Sequence, residues 1–233
     1  MNTIKHLEVI MDGNRRWAKN NGLNPYKGHD RGADVFADTC DWCIGNKIPY
    51  LTVYAFSTEN WKRTSFEINH IFKLLEKFFI EKKEICIKKN IKIKIIGERT
   101  RFDNKTLSII QDLESQTSKC KKLNVQIALS YGGRDEIIRA IKQLTNDVIE
   151  KKLSINNITE NVFSSYLDTA GIPDIDLVIR TGGAENRRLS NFLPWQTVYS
   201  ELYFSDLLWP EFSLIEFEKA IDYYNSIQRK LGK

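Results

Sequence analysis

This 233-residue sequence predicts an α/β fold, with a mainly parallel central sheet of about six strands flanked by helices. Its strand-like runs are short, β-branched and nearly apolar throughout, the pattern of strands covered on both faces. Between them lie longer stretches with apolar residues at helical spacing, and such alternation marks parallel crossover connections. No repeat, linker or composition break divides the chain, so one domain over residues 1–233 is expected.

Leu7–Met11 is the first strand-like run, and Tyr50–Phe56 the second. Ile91–Ile96, Asn124–Ser130 and Ile175–Ile179 follow, with Leu202–Phe204 a weaker sixth. Helical spacing covers Arg31–Asn46, Phe66–Asn90, Asp135–Ile149 and Ile215–Leu231. In Phe66–Asn90 the apolar side is broad, running through Ile68, Ile71, Phe72, Leu75, Phe78 and Phe79.

Composition narrows the function classes. Aromatic residues make up 11% and prolines number only 5, which excludes disordered and low-complexity chains. No apolar run approaches the ~18 residues of a spanning helix. Lys5, Glu8 and Asp12 break the first apolar stretch, so a signal peptide is not expected. A cytoplasmic protein follows, with contact at the inner face of a membrane left open. Cys40 and Cys43 lack a second pair for zinc and read as reduced helical cysteines. The net charge of +5 comes without a nucleic-acid-binding motif, so no nucleic acid partner is expected.

Ligands of open α/β sheets bind beyond the carboxyl ends of the strands, and there the sequence is distinctive. After the first strand come Asp12, Gly13, Asn14, Arg15, Arg16 and Trp17. Asp12 can hold a hard cation such as Mg²⁺, which takes one or two carboxylates and completes its shell with water and phosphate. It can equally be a helix N-cap. After the second strand come Ser57, Thr58, Glu59, Asn60, Trp61 and Arg63, where an anion site and a capping box compete. Gly132-Gly133 follows the fourth strand and permits unusual backbone angles. After the fifth come Arg180, Gly182, Gly183, Arg187, Arg188 and Ser190, and guanidinium forks match phosphate oxygens. There is no P-loop and no dinucleotide fingerprint. Glu201 enters an apolar strand and needs a partner. His29 follows Gly28 at the end of an expected loop. The arginines and Asp12, gathered at one sheet edge, make the inventory for a magnesium diphosphate.

His6–Asp30, Tyr50–Arg63, Ser130–Glu136 and Asp176–Phe212 together resemble the cis-prenyltransferases, and the resemblance covers essentially the whole chain. It implies an enzyme that adds isopentenyl diphosphate repeatedly to farnesyl diphosphate in cis configuration. The implied product is a long polyprenyl diphosphate, undecaprenyl in bacterial members, the lipid carrier for cell-wall sugars. A shorter-chain synthase and a non-catalytic accessory subunit are the alternatives. The resemblance further implies a Mg²⁺ cofactor, a homodimer, a hydrophobic tunnel between sheet and helices, and peripheral membrane contact for product release.

Carried over, Asp12 is the catalytic and metal-binding aspartate and Glu201 the second metal carboxylate. Asn60 is the residue assigned to proton removal, although a neutral amide is a poor base. Gly13, Asn14, Arg15, Arg16, Trp17 and His29 match substrate-binding positions, as do Ser57, Thr58, Glu59, Trp61 and Arg63. Arg180, Ser190 and either Arg187 or Arg188 match the isopentenyl diphosphate site. Pro25 stands where an arginine is common, and Gly183–Leu189 is about two residues longer than the family pattern. Arg229-Lys230-Leu231-Gly232 falls where members place arginines near the partner's site.

Overall fold

A computed structural model describes residues 3–227, so the C-terminal Arg229-Lys230-Leu231-Gly232 segment lies outside the described residues. All six expected strands form: β1 (His6–Ile10), β2 (Tyr50–Ser57), β3 (Ile91–Ile96), β4 (Leu123–Tyr131), β5 (Leu177–Arg180) and β6 (Glu201–Phe204). They make one sheet in the order β3-β4-β2-β1-β5-β6. Every neighbouring pair is parallel. From β1 the chain adds β2 beside it, places β3 at the edge and inserts β4 between β2 and β3, then crosses to the other side of β1 for β5 and β6. β1 is therefore the switch point, and a crevice opens above its carboxyl end.

The helices are α1 (Asn14–Asn20), α2 (Pro25–Gly45), α3 (Ser65–Lys88), α4 (Asn104–Thr117), α5 (Gly133–Ile149), α6 (Glu160–Ser164) and α7 (Leu214–Ser226). Three of them, α1, α4 and α6, were not expected from the sequence. α1 and α6 have seven and five residues, too short for a periodic stripe. α4 buries only a narrow apolar stripe at Ile110 and Leu113, and is fixed by its cap, Asp103 accepting from the Thr106 N–H at 2.7 Å. α2 starts six residues before the expected Arg31. There Asn24 accepts from the Tyr26 N–H at 3.1 Å, and Pro25, pre-set for a helix, takes the first position. His29 accordingly sits in a helix, not in the loop anticipated for it. Its neighbour Gly28 is required by packing, since a Cβ there would lie 1.9 Å from the Asn14 carbonyl oxygen.

The alternation of β1 sends Leu7 and Val9 into the main core, with Leu51, Val53, Val125 and Ile127 beside them. Helices α2, α3 and α4 cover that face, and Trp42 of α2 stacks on Phe217 of α7 at 4.6 Å. Ile10, Ala128, Val178, Phe192 and Leu193 pack on the other face. One row of that second face is polar. Glu8, Thr52 and Gln126 stand side by side on β1, β2 and β4. The Glu8 carboxyl is completely buried, neither of its oxygens has a partner among the described residues, and burial pushes its pKa well up.

Cys40 and Cys43 are free, buried thiols of α2, and burial pushes both up, which leaves them unreactive packing residues.

Candidate active site

The first strand delivers Asp12 two residues past its end. Its backbone N–H bonds back to the Ile10 carbonyl at 3.0 Å, and its own carbonyl accepts from the Trp209 N–H at 3.0 Å and the Thr181 hydroxyl at 2.8 Å. The helix cap is Gly13, at φ 113°, so Asp12 is not spent on capping. Its carboxylate lies between two guanidinium groups: Arg16 Nη2 reaches Oδ1 at 3.3 Å, and Arg180 Nη2 reaches Oδ2 at 3.2 Å. Gly182 makes room for this convergence. It holds φ 115°, and a Cβ there would sit 2.9 Å from both Arg16 Nη2 and Asp12 Cγ.

Arg180, the last residue of β5, is only 4% exposed. Its Nη1 donates to the Ser190 hydroxyl at 2.7 Å and to the Arg188 carbonyl oxygen. Ser190, Asn191 and Leu193 all hold positive φ, and this unusual run turns Ser190 toward the guanidinium. Burial, the largest influence, pulls the Arg180 pKa down while Asp12 opposes it. The Arg180 Nε–H is buried and has no partner among the described residues. A buried cation with a donor to spare is suited to an incoming anion.

At the end of β2 the structure shows the capping box. Its acid is replaced by an amide: the Ser57 N–H donates to Asn60 Oδ1 at 3.0 Å. That bond fixes the carboxamide orientation and uses its oxygen, so Asn60 faces the crevice with its NH₂ group. Arg63 ends this turn, where burial holds its pKa down and Glu67 opposes the shift. Glu67 also pairs with Arg15 at 2.7 Å.

These groups ring the mouth of a cavity of about 830 Å³. Asp12, Gly13, Asn14, Arg15, Arg16, His29, Ser57, Asn60, Arg63 and Arg180 all line it. Inward the lining turns apolar, with Phe36 of α2, Val53 of β2, Ile127 of β4 and Leu75, Phe78 and Phe79 of α3. A charged mouth on a greasy interior fits an amphiphile with an anionic head. Burial, together with the charges of Arg63 and Arg15, holds the His29 pKa at about 4, so its imidazole is neutral at pH 7.

Other anticipated residues do not line this cavity. Trp61 packs into the core: its Nε1–H donates to Ser130 Oγ at 2.8 Å and its ring stacks on Phe72. Glu59 ties down the Ser190 loop, accepting from Asn191 Nδ2 at 3.1 Å, and Thr58 donates to Glu59 at 3.2 Å. Trp17 is half-buried on α1 away from the lining. Of the two candidate arginines, Arg188 supplies a backbone carbonyl to Arg180, while the Arg187 guanidinium stands 3.8 Å from Asp206. Glu201 opens β6 level with Leu177, three register positions below Arg180, ~10 Å from the crevice end. Within one chain it does not meet Asp12.

Gly132-Gly133 is structural, through close approach and not through an unusual backbone angle. Gly132 is extended at φ −154°, and the pair serves close packing: a Cβ on Gly133 would lie 2.1 Å from Pro194 Cδ.

Sequence reasoning passed over Lys19, Leu23 and Trp209, which also line the cavity. Lys19 lies three residues after Arg16 on α1, a helix too short to be anticipated. The signal for Trp209, a Trp-Pro pair five residues past the sixth strand, was present but carries no chemistry by itself.

Residues 10–232 match the prenyltransferase family described as "Putative undecaprenyl diphosphate synthase". The chain belongs to this family. It is 43% identical over 229 residues to an isoprenyl transferase of Aquifex pyrophilus, covering 98% of this chain and 96% of the relative. It is also 43% identical to a Buchnera aphidicola (Schizaphis graminum) ditrans,polycis-undecaprenyl-diphosphate synthase specific for (2E,6E)-farnesyl diphosphate, over 98% of this chain and 91% of the relative. Among solved structures, lavandulyl diphosphate synthase from Lavandula x intermedia, in complex with dimethylallyl diphosphate, superposes with a TM-score of 0.94 at 29% identity, covering 99% of each chain. Like the other members, the chain has a parallel sheet flanked by helices. No described helix is long and apolar enough to cross a membrane.

Proposed function

We propose that the chain elongates farnesyl diphosphate with successive isopentenyl diphosphate units in cis configuration to make a long polyprenyl diphosphate, undecaprenyl by preference. The observation that carries this reading is the single cavity that joins a mouth of Asp12 and arginines to an apolar interior walled by α2 and α3. A diphosphate head fits the first part and a growing isoprenoid tail the second.

In this reading Arg16, Arg63 and the backbone around Gly13 and Asn14 hold the allylic diphosphate. Arg180, with its unused Nε–H and its Ser190 contact, holds the isopentenyl diphosphate. Arg15 closes on the pair, exchanging Glu67 for phosphate. The described residues contain no group of three His, Cys, Asp or Glu side chains that could cage a metal. One partly exposed carboxylate, Asp12, suits Mg²⁺ that arrives with substrate phosphate. Bound there, the ion would neutralise charge building on the departing diphosphate. Asn60, its oxygen engaged, orients substrate by donation. A diphosphate oxygen takes the proton in this reading: Asn60 and the strand-end hydroxyls are not bases, and burial with the nearby arginine charges leaves His29 a weak one. One domain carries all of this, and a homodimer is the working assembly.

The test is incubation of the purified protein with farnesyl diphosphate, radiolabelled isopentenyl diphosphate and Mg²⁺, with an EDTA control and chromatography of the products. An EDTA-sensitive ladder of long polyprenols is expected. Products that stop after one or two additions would replace this reading with a short-chain synthase. No incorporation by folded protein would make the chain an accessory subunit.

A further inference from the structure

We propose that Lys19 of α1 binds the terminal phosphate of the allylic diphosphate and keeps hold of it as that group departs as pyrophosphate. The inference deepens the reading above and rests on it for the identity of the substrate.

Three guanidinium groups of the mouth already face acids. Arg15 has Glu67 at 2.7 Å, and Arg16 and Arg180 share Asp12 at 3.3 and 3.2 Å. Lys19 lines the same cavity, is exposed, and makes no ion pair among the described residues. Its own side of the mouth offers no other charge. From α1 into α2 the lining runs through Leu23, Pro25, His29, Gly32 and Phe36. His29, held at a pKa of about 4, is neutral there at pH 7. Lys27, the other lysine of this stretch, pairs with Asp30 at 3.4 Å and does not line the cavity.

Depth orders the cations. Arg180 is 4% exposed at the strand end, Arg16 is half-buried, and Lys19 is exposed three residues further along α1, ~4.5 Å beyond Arg16. An amphiphile whose tail fills the apolar interior presents its head outward, with the inner phosphate deeper and the terminal phosphate nearer to water. The outermost cation therefore meets the terminal phosphate. Lysine suits that place, because a point charge on a flexible stem can follow a group that moves, whereas a guanidinium fork demands one orientation.

The chemistry then defines what the contact does. In each condensation the bond between the allylic C1 and the inner phosphate oxygen breaks, and the oxygen keeps the electron pair. C1 bonds to the isopentenyl double bond, and a proton is lost. Negative charge thus grows on the inner phosphate, while the terminal phosphate changes little. A cation on the terminal phosphate stabilises substrate, transition state and bound pyrophosphate to a similar degree. Such uniform binding lowers KM and the Kd for pyrophosphate and leaves the chemical step nearly untouched.

The test is a comparison of ligands with and without the terminal phosphate. Farnesyl diphosphate, farnesyl monophosphate and inorganic pyrophosphate are titrated by calorimetry, with Mg²⁺ and without isopentenyl diphosphate, into wild type, Lys19→Met, Lys19→Arg and Lys27→Met. Lys19→Met should weaken farnesyl diphosphate and pyrophosphate about tenfold, the low end for a charge-assisted contact because the site is open to water. It should leave farnesyl monophosphate within about twofold of wild type, and Lys19→Arg should recover most of the loss. Lys27→Met, which removes an equal charge away from the lining, should bind all three like wild type. In turnover Lys19→Met should raise KM for farnesyl diphosphate and not for isopentenyl diphosphate. An equal loss for the monophosphate and the diphosphate, no loss for either, or the same loss in Lys27→Met would each overturn the proposal. The expected pattern of binding in a wild type that does not elongate would strike the enzymatic reading and leave the Lys19 contact standing.

Discussion

Glu8 offers the most quantitative test of the fold, because the strand it occupies presents Asp12. Its carboxyl is fully buried, its oxygens lack partners among the described residues, and its neighbours on that face are Thr52, Gln126, Tyr54 and Tyr131. Burial raises the native pKa well above the unfolded value, so the native state keeps a proton that the unfolded chain releases above pH ~4.5. Unfolding thus releases a proton in this window, and stability falls as pH rises through it. Between the unfolded pKa and the raised native one the slope approaches about 1.4 kcal/mol per pH unit. For a chain of this size each such pH unit is roughly 3–6 °C in Tm. His6 and His29, with native pKa values of about 4, act in the opposite direction below pH ~6.5, so the assay must be a difference. Urea unfolding of wild type and Glu8→Gln across this range should show the variant gaining on wild type by about 1.4 kcal/mol per pH unit. A stability difference that does not change with pH would refute the argument, because it would mean that Glu8 titrates alike in both states.

Asp12→Asn should lower kcat about 10²–10³-fold with an unchanged circular dichroism spectrum, since it removes the carboxylate held between Arg16 and Arg180; near wild-type turnover would remove Asp12 from the mechanism. Phe79→Trp and Leu75→Trp narrow the apolar part of the cavity and should shorten the product, read by chromatography, while the first condensation stays intact. The His29 imidazole should titrate near pH 4 by NMR in the free protein and shift upward when pyrophosphate is added, because an anion offsets Arg63 and Arg15. Because that native pKa is depressed, His29→Gln should lessen the loss of stability as pH falls from ~6.5 toward 4.

Much of this was legible in the residues. The strands were clear because Ile, Val and Leu recur in short runs through β1 to β5, most densely on the face of the main core, and the strand-end rule then placed Asp12, Asn60, Arg63 and Arg180 together. What escaped has local causes. α1 and α4 bury too few apolar residues to produce a periodic signal. Trp61 and Glu59 sit in a chemically rich motif, yet they are turned to the core and to Asn191, and only side-chain direction separates them from Asn60 beside them. Glu201 read as a site residue because a carboxylate in an apolar strand is costly, but the register puts it at the wrong end of β6 for Asp12 of its own chain.

The space between α2 and α3 is occupied by no side chain, although the surrounding residues are those of a protein interior. A lipid tail growing into it would act as a temporary part of the hydrophobic core, enlarged by each condensation. The free enzyme would then be the least stable member of its own catalytic cycle. Each added unit would stiffen the two helices, until the tail outgrew the room and the interior that had welcomed it began to push it out.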